Sequence, residues 1–140
     1  MIKPVQRSKR PQAGYAARAA GCPLAAVPIG EMHGFAPLHM FPAEEQPAYA
    51  QRLPHFARTT TWRCSAYEYR AVASGAMSFA LNAELKPWDH AAGVLIHCEA
   101  GGYGALLTGE TYRPAMARGR LLLAPDAASW EMIQRIFVED

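Results

Sequence analysis

The sequence predicts an α/β fold in which a layered sheet is flanked by helices. Apolar residues make up 51% of the 140 residues and charged residues only 19%, so the chain can build a core. Strand-like segments alternate with segments of helical periodicity, which is the pattern of a layered α/β domain. One segment, 120–124, is almost uniformly apolar, as is typical of a strand covered on both faces.

The beginning of the chain has a different composition. We predict a basic tail or loop rich in Ala, Gly and Pro over residues 1–27 and one α/β domain over residues 28–140. No acidic residue precedes Glu31, and this asymmetry favours a solvated basic tail over a transit-like segment or a ragged start. The basic residues are Lys3, Arg7, Lys9, Arg10 and Arg18. No apolar run approaches the ~20 residues that span a bilayer, so we expect a soluble, cytoplasmic protein without membrane contact.

The first elements are predicted from short signals. A short strand is expected at 24–29. Pro42 in a first turn, followed by Glu44 and Glu45, predicts a helix start, and this helix would run to about Leu53, before a proline. The β-branched and aromatic residues of 56–62 predict a strand.

The next helix is predicted from both of its ends. Ser65 and Glu68 have the spacing of a capping box, and Gly75 is a typical C-terminal stop. Apolar residues at Tyr69, Val72 and Ala73 share one face of this helix. A short apolar run at 77–81 then predicts a buried strand.

Two further helices and two strands complete the domain. Pro87 opens a helix with an apolar repeat, and a pair of glycines, 101–102, ends it. The repeat consists of Ala91, Val94, Leu95 and Cys98. Strands are predicted at 104–107 and 120–124, the second of them central in the sheet. Asp126 is predicted to cap a last helix with Trp130, Ile133 and Phe137 on its apolar face.

Cysteine and histidine spacing argues against a disulfide framework or a zinc site. Cys22, Cys64 and Cys98 form no CxxC pair. His90 and His97 lie in one predicted helix but seven residues apart, which does not match an HExxH arrangement. We therefore expect solvated or hydrogen-bonded histidines.

Asp89 is the carboxylate with the clearest chemical context. It lies in the first turn of a predicted helix, directly after a strand and a proline corner, at the sheet edge where open α/β folds bind ligands. Such an oxygen ligand suits Mg²⁺. The alternative from the residues alone is that Asp89 only stabilises the helix N-terminus, which contributes ~0.3–1 kcal/mol.

The segment Pro87-Trp-Asp-His-Ala-Ala-Gly93, followed by Glu99-Ala-Gly-Gly102, resembles the C-terminal signature of the inositol monophosphatase family, a group of magnesium-dependent, lithium-sensitive phosphatases. Arg63-Cys64-Ser65-Ala66 is similar to an upstream Gly-Ser-Ala-Ala segment of the family. The stretch 119–126 resembles the family's closing strand and helix. The resemblance covers about 56–137.

The resemblance implies the C-terminal domain of that fold and hydrolysis of an inositol, sugar or nucleotide phosphate ester. Asp89 would bind Mg²⁺, and Cys64, Ser65 and Ala66 would face the phosphorylated small molecule. The family often has a Glu seven residues before the metal-binding Asp, where this chain has Asn82. An amide can hydrogen-bond a substrate hydroxyl but supplies no charge.

The resemblance also points to a departure. Family enzymes carry a further metal-binding Glu and an Asp-Pro-x-Asp-Gly-Thr motif in their N-terminal half, and this motif occurs nowhere in the 140 residues. The chain alone is therefore expected to be inactive, and to need an N-terminal half chain or a homo-oligomer. The alternative is a non-catalytic scaffold or interaction module, or a truncated remnant. An exposed apolar face would favour association. Arg113, Arg118 and Arg120 are predicted to form a solvated basic loop, without nucleic-acid contact.

Overall fold

The computed structural model describes residues 24–139. The strands are β1 (His33–Phe35), β2 (Arg58–Thr60), β3 (Phe79–Asn82), β4 (Tyr103–Leu106) and β5 (Leu121–Ala124). The α-helices are α1 (Gln46–Arg52), α2 (Ser65–Ser74), α3 (Pro87–Glu99) and α4 (Ala127–Val138). Short 3₁₀ turns lie at Ile29–Glu31, Leu38–Met40 and Leu53–His55.

The five strands form one mixed sheet in the order β2-β1-β3-β5-β4. β1 pairs in parallel with β2 and with β3, so these three strands end at the same edge of the sheet. β5 pairs antiparallel with both β3 and β4. β3 is thus the strand at which parallel pairing changes to antiparallel pairing.

Helices cover both faces of the sheet, as the α/β prediction requires. Alternate residues of β5 enter two different cores: Leu122 packs with the α4 side chains, and Leu121 and Leu123 pack with α2 and α3. Side chains of a strand alternate between its faces, so an entirely apolar strand indicates that both faces are covered. The predicted interior position of this strand is confirmed, because β5 is hydrogen-bonded on both sides.

The α4 side of the sheet has an aromatic core. The ring centroid of Phe56 lies 4.5 Å from that of Phe79 and 5.6 Å from that of Phe137. Trp130 is buried and donates its indole N–H to the Leu122 carbonyl at 3.0 Å. This bond fixes α4 against β5, and the predicted apolar face of the last helix is confirmed.

Most predicted elements are present, usually shortened at their ends. The predicted strand at 24–29 is wrong. Pro28 has no backbone N–H for a sheet, and its carbonyl accepts from Glu31 to close the 3₁₀ turn Ile29–Glu31. The first strand follows at His33–Phe35.

The buried face of α3 also differs from the prediction. Val94 is buried, but Leu95 is 62% exposed and Cys98 is exposed. The face that contacts the protein instead carries Gly93, His90 and His97, which a count of apolar residues does not register.

Arg120 does not belong to a solvated basic loop. Its guanidinium donates to both carboxylate oxygens of Glu45, at 2.7 and 3.0 Å, and to the Ala83 carbonyl at 3.0 Å. It also lies over the ring of Phe41, 5.2 Å from the centroid. Arg120 therefore ties the start of β5 to the segment before α1.

Residues 1–23 of the predicted basic tail lie outside the described residues. Leu24 is buried, and Val27 packs against the core, although both fall within the segment predicted as tail or loop. No helix in the described part of the chain has the length and hydropathy needed to cross a membrane.

Candidate functional site

A cleft of about 880 Å³ opens at the carboxyl ends of the three parallel strands. The helices α2 and α3 follow β2 and β3 directly and begin at its walls. Open α/β sheets bind ligands in this position. The cleft brings together all five residues that were predicted for the site, and these are Cys64, Ser65, Ala66, Asn82 and Asp89.

Asp89 occupies the first turn of α3 and is partly buried. Its backbone N–H donates to the Lys86 carbonyl at 2.9 Å, but its carboxylate has no hydrogen-bond or ion-pair partner in residues 24–139. Pro87 sets the first helical position, and no side chain caps α3. This placement agrees with a ligand role and with the helix-stabilising alternative, and Asp89 stays a predicted metal ligand.

The N-terminus of α2 presents unused backbone donors. Cys64 is the N-cap, and its side chain makes no capping hydrogen bond. The N–H groups of Tyr67 and Glu68 donate to the Cys64 carbonyl, whereas those of Ser65 and Ala66 have no acceptor in the described residues. Such N–H groups at the positive end of a helix dipole bind anions and hydroxyl oxygens.

The predicted capping box of α2 is wrong. Ser65 is already inside the helix, so it cannot act as the N-cap for Glu68. The Glu68 side chain is only 7% exposed, and its carboxylate accepts from Thr61 Oγ1 at 3.0 Å and from the Trp62 N–H at 2.7 Å. Glu68 therefore holds the loop between β2 and α2 against the helix.

That loop contains a residue that was not predicted to belong to the site. Arg63 has φ 56°, the only positive φ of a non-glycine residue in residues 24–139, and it lines the cleft. The left-handed region costs an L-residue roughly 1 kcal/mol or more. A signal was present in the sequence, because Arg63 stands at the Gly of the family-like Gly-Ser-Ala-Ala segment.

Arg70 of α2 also lines the cleft, and the sequence contains no motif around it that could have predicted this position. Neither Arg63 nor Arg70 has a partner for its guanidinium in the described residues, and both are exposed. By contrast, Lys86 pairs with Glu84 at 2.9 Å, and this hydrogen bond raises the pKa of Lys86.

Asn82 ends β3 and is partly buried at the cleft. Its amide nitrogen is shielded from solvent and has no hydrogen-bond partner among the described residues. A buried donor without a partner is costly. A ligand oxygen in the cleft would satisfy it only after the Asn82 side chain turns toward the cleft. The substrate contact of Asn82 stays a prediction.

His90 and His97 are both buried and hydrogen-bonded. Of the two expectations for these histidines, solvated or hydrogen-bonded, the second is confirmed. His90 Nδ1 lies 2.8 Å from the Tyr69 hydroxyl, and His97 Nε2 lies 2.8 Å from the Ala124 carbonyl. Burial lowers the pKa of both imidazoles, although backbone hydrogen bonds oppose the shift. His90 thus serves to join α3 to α2.

A complete magnesium site is not present in residues 24–139. No group of three or more His, Cys, Asp or Glu side chains in this range could hold a metal ion. The cleft carboxylates other than Asp89 are engaged: Glu68 by the loop and Glu84 by Lys86. Asp89 fits as one ligand, and Mg²⁺ usually takes one or two carboxylates together with water and substrate phosphate oxygens.

A family model described as "Inositol monophosphatase family" matches residues 31–139. No curated protein sequence matches the chain. Among solved structures, inositol monophosphatase II from Staphylococcus aureus superposes with a TM-score of 0.72 at 19% identity, covering 84% of this chain and 44% of that one. Others of the same enzyme are described with bound inositol monophosphate and with bound 2′-AMP.

Two further structures have the same fold. The inositol monophosphatase from Zymomonas mobilis gives a TM-score of 0.72 at 18% identity, over 81% of this chain and 44% of that one. The one from Anabaena gives 0.68 at 19% identity, over 84% and 47%. The chain therefore spans less than half the length of these structures, and at this level of identity the likeness shows the fold.

Proposed function

The chain belongs to the inositol monophosphatase family, and on that premise we propose that it forms the substrate-binding part of a magnesium-dependent phosphoric monoester hydrolase. The observation that carries the proposal is the cleft, which collects Asp89, Asn82 and the open N-terminus of α2 at the ends of the parallel strands. Its proposed substrate is a small phosphorylated molecule, such as an inositol, sugar or nucleotide phosphate.

Each group has a separate role in this proposal. The Asp89 carboxylate would hold Mg²⁺, which when bound lowers the pKa of water and offsets charge on phosphate oxygens. The N–H groups of Ser65 and Ala66, next to Cys64, would hold substrate oxygens. The Asn82 amide would donate to a substrate hydroxyl. It supplies no charge and no base, so it orients the substrate only.

The remaining metal ligands would come from outside residues 24–139. Residues 1–23 contain no acidic residue, so a second copy of the chain or an N-terminal half, on the same or on another polypeptide, is the proposed source. Relatives of about twice the matched length agree with this arrangement. Without such a partner we expect the 140 residues to have no phosphatase activity.

A matched pair of α3 variants tests the proposal. Asp89→Asn and Glu99→Gln each remove one carboxylate from α3, but Glu99 is exposed at the other end of the helix and does not line the cleft. Hydrolysis of inositol 1-phosphate and 2′-AMP is measured with Mg²⁺ over a range of protein concentrations. Activity that rises with concentration, disappears in Asp89→Asn and persists in Glu99→Gln supports the proposal. Activity that survives Asp89→Asn contradicts the role of Asp89.

The second candidate is a non-catalytic module that associates through the cleft face. The specific observation in its favour is the exposed apolar rim: Trp88 is 81% exposed and Met40 38% exposed, and both line the cleft. Exposed aromatic side chains of this size are frequent anchors in protein interfaces. The absence of activity at every protein and metal concentration, together with self-association that Trp88→Ala weakens, would favour this candidate.

A further inference from the structure

We propose that Arg63 and Arg70 form an anion-binding subsite on the α2 side of the cleft, which takes a second anionic group of the substrate. This group is a phosphate or a carboxylate, additional to the phosphate ester that is hydrolysed. The inference rests on the proposed function and deepens it, because it names the substrate class: small molecules that carry two anionic groups.

The placement of the two side chains carries the first step. Arg70 follows Ala66 by four residues, so the two lie on the same face of α2, and both line the cleft. Arg63 enters the same cleft from the preceding loop. Two cationic side chains thus approach one wall of the cleft from consecutive segments.

The lack of partners carries the second step. The acidic residue between them in sequence is Glu68, which is buried and whose carboxylate already accepts from Thr61 and Trp62. No ion pair within residues 24–139 includes Arg63 or Arg70. A guanidinium presents five donors in a planar fork that matches phosphate and carboxylate oxygens.

The backbone of Arg63 carries the third step. Its φ of 56° is a conformation in which glycine costs nothing, and the similar segment of the family has glycine there. An unfavourable backbone conformation that is kept at a ligand cleft is typical of functional sites. The arginine adds a charged side chain to the cleft at a position where glycine has none, so the subsite is a property of this chain.

The charges also separate two functions. Asp89 lies on α3 and repels anions unless a cation is bound there, whereas the arginines lie on the α2 side. A substrate with one anionic group beside Asp89 leaves the arginines without partners. A substrate with two anionic groups satisfies both walls of the cleft.

Binding to the Asp89→Asn variant in EDTA tests the subsite without catalysis or metal, because a neutral amide at this position removes the repulsion of anions by Asp89. Isothermal titration calorimetry compares glucose 1-phosphate, glucuronic acid 1-phosphate and glucose 1,6-bisphosphate, which share the pyranose ring and the 1-phosphate and differ only in the group at C6. We expect this variant to bind at least one of the latter two about tenfold more tightly than glucose 1-phosphate. Whichever of them shows this preference identifies the group as carboxylate or phosphate.

Further substitutions in the Asp89→Asn variant decide whether the arginines are responsible. Arg63→Gly suits the positive φ and should fold, and Arg63→Gly and Arg70→Gln should each reduce the preference to about threefold or less. Arg118→Gln removes an exposed arginine outside the cleft and should leave the preference intact. Neither a metal nor the Asp89 carboxylate takes part in this measurement, so failure of the proposed function is distinguishable. Equal binding of all three probes, no binding of any, or an equal loss in Arg118→Gln overturns the subsite.

Discussion

The Tyr69 hydroxyl lies 2.8 Å from Nδ1 of His90, and this hydrogen bond joins α2 to α3 in the wall of the cleft. Gly93 makes it geometrically possible, because a Cβ at that position would lie 2.2 Å from the Tyr69 ring. The glycine of the Trp-Asp-x-Ala-Ala-Gly segment therefore sets the approach of the two helices whose N-termini form the site.

Gly93→Ala should destabilise the fold. The added methyl group forces the Tyr69 ring or the helix to move, and overpacking of this kind typically costs about 1–3 kcal/mol. Gly30→Ala is the matched control, since a Cβ there meets nothing within 4 Å. Urea unfolding measures both free energies. If Gly93→Ala unfolds at the same midpoint as Gly30→Ala, then the close approach of α2 and α3 is not as described.

Glu68→Gln should loosen the loop that carries Arg63. The substitution keeps the volume but weakens the acceptor for Thr61 Oγ1 and the Trp62 N–H, and we expect a loss of roughly 1–2 kcal/mol of unfolding free energy. Glu131→Gln, on the exposed face of α4, serves as the control and should change stability by less than about 0.5 kcal/mol. Urea unfolding distinguishes them, and equal midpoints for the two variants would contradict the contact.

Helix capping provides a contrast between two helices. Asp126 Oδ1 accepts from the Ser129 N–H at 2.7 Å, so Asp126→Ala should cost about 1 kcal/mol of stability. Ser65 makes no capping hydrogen bond in α2, so Ser65→Ala should cost less than about 0.5 kcal/mol. Thermal unfolding of both variants is the measurement. A comparable loss of stability in Ser65→Ala would indicate that the predicted capping box does form, in contradiction to the structure.

Acid should destabilise the protein through its two buried histidines. Burial lowers the pKa of His90 and His97 in the folded state, while the unfolded chain takes up protons near pH 6.5. Stability is therefore complete above that pH and decreases as the pH falls below it, until the folded rings also protonate. The slope is at most about 1.4 kcal/mol per pH unit for each ring.

Urea unfolding between pH 5 and pH 8 measures this slope. His97→Gln should reduce it, and His39→Gln, which alters an exposed residue, should not. A slope that stays the same in His97→Gln and in His90→Asn would mean that other groups cause the acid sensitivity.

The fold was largely predictable where the pattern is local. The apolar run of β5 and the Asp126 cap of α4 follow from period and capping chemistry. The face of α3 was not predictable in this way, because Gly93 packs through its lack of a side chain and two histidines are buried by specific hydrogen bonds. The prediction of a strand at 24–29 was wrong because the Pro28 carbonyl accepts a hydrogen bond that closes a 3₁₀ turn.

The site was predictable in its motif residues and not in its charges. The family resemblance named residues that the structure places around one cleft, among them Asn82 and Asp89. It assigned no site role to Arg63 or Arg70. Their guanidinium groups are free to bind an anion because the Glu68 carboxylate accepts hydrogen bonds from the loop instead of pairing with them. Tertiary contacts determine the hydrogen-bond partners of Glu68, and these partners cannot be predicted from spacing along the sequence.

The position of β3 between parallel and antiparallel neighbours has a kinetic consequence. Neither half of the sheet can pair with the other until Phe79–Asn82 is in place, so this strand should form part of the folding nucleus. Leu81→Ala, at a fully buried position of β3, is then expected to slow refolding more than it accelerates unfolding. Stopped-flow refolding measures both rates. Folding of the cleft and of the α4 core would share one rate-limiting event.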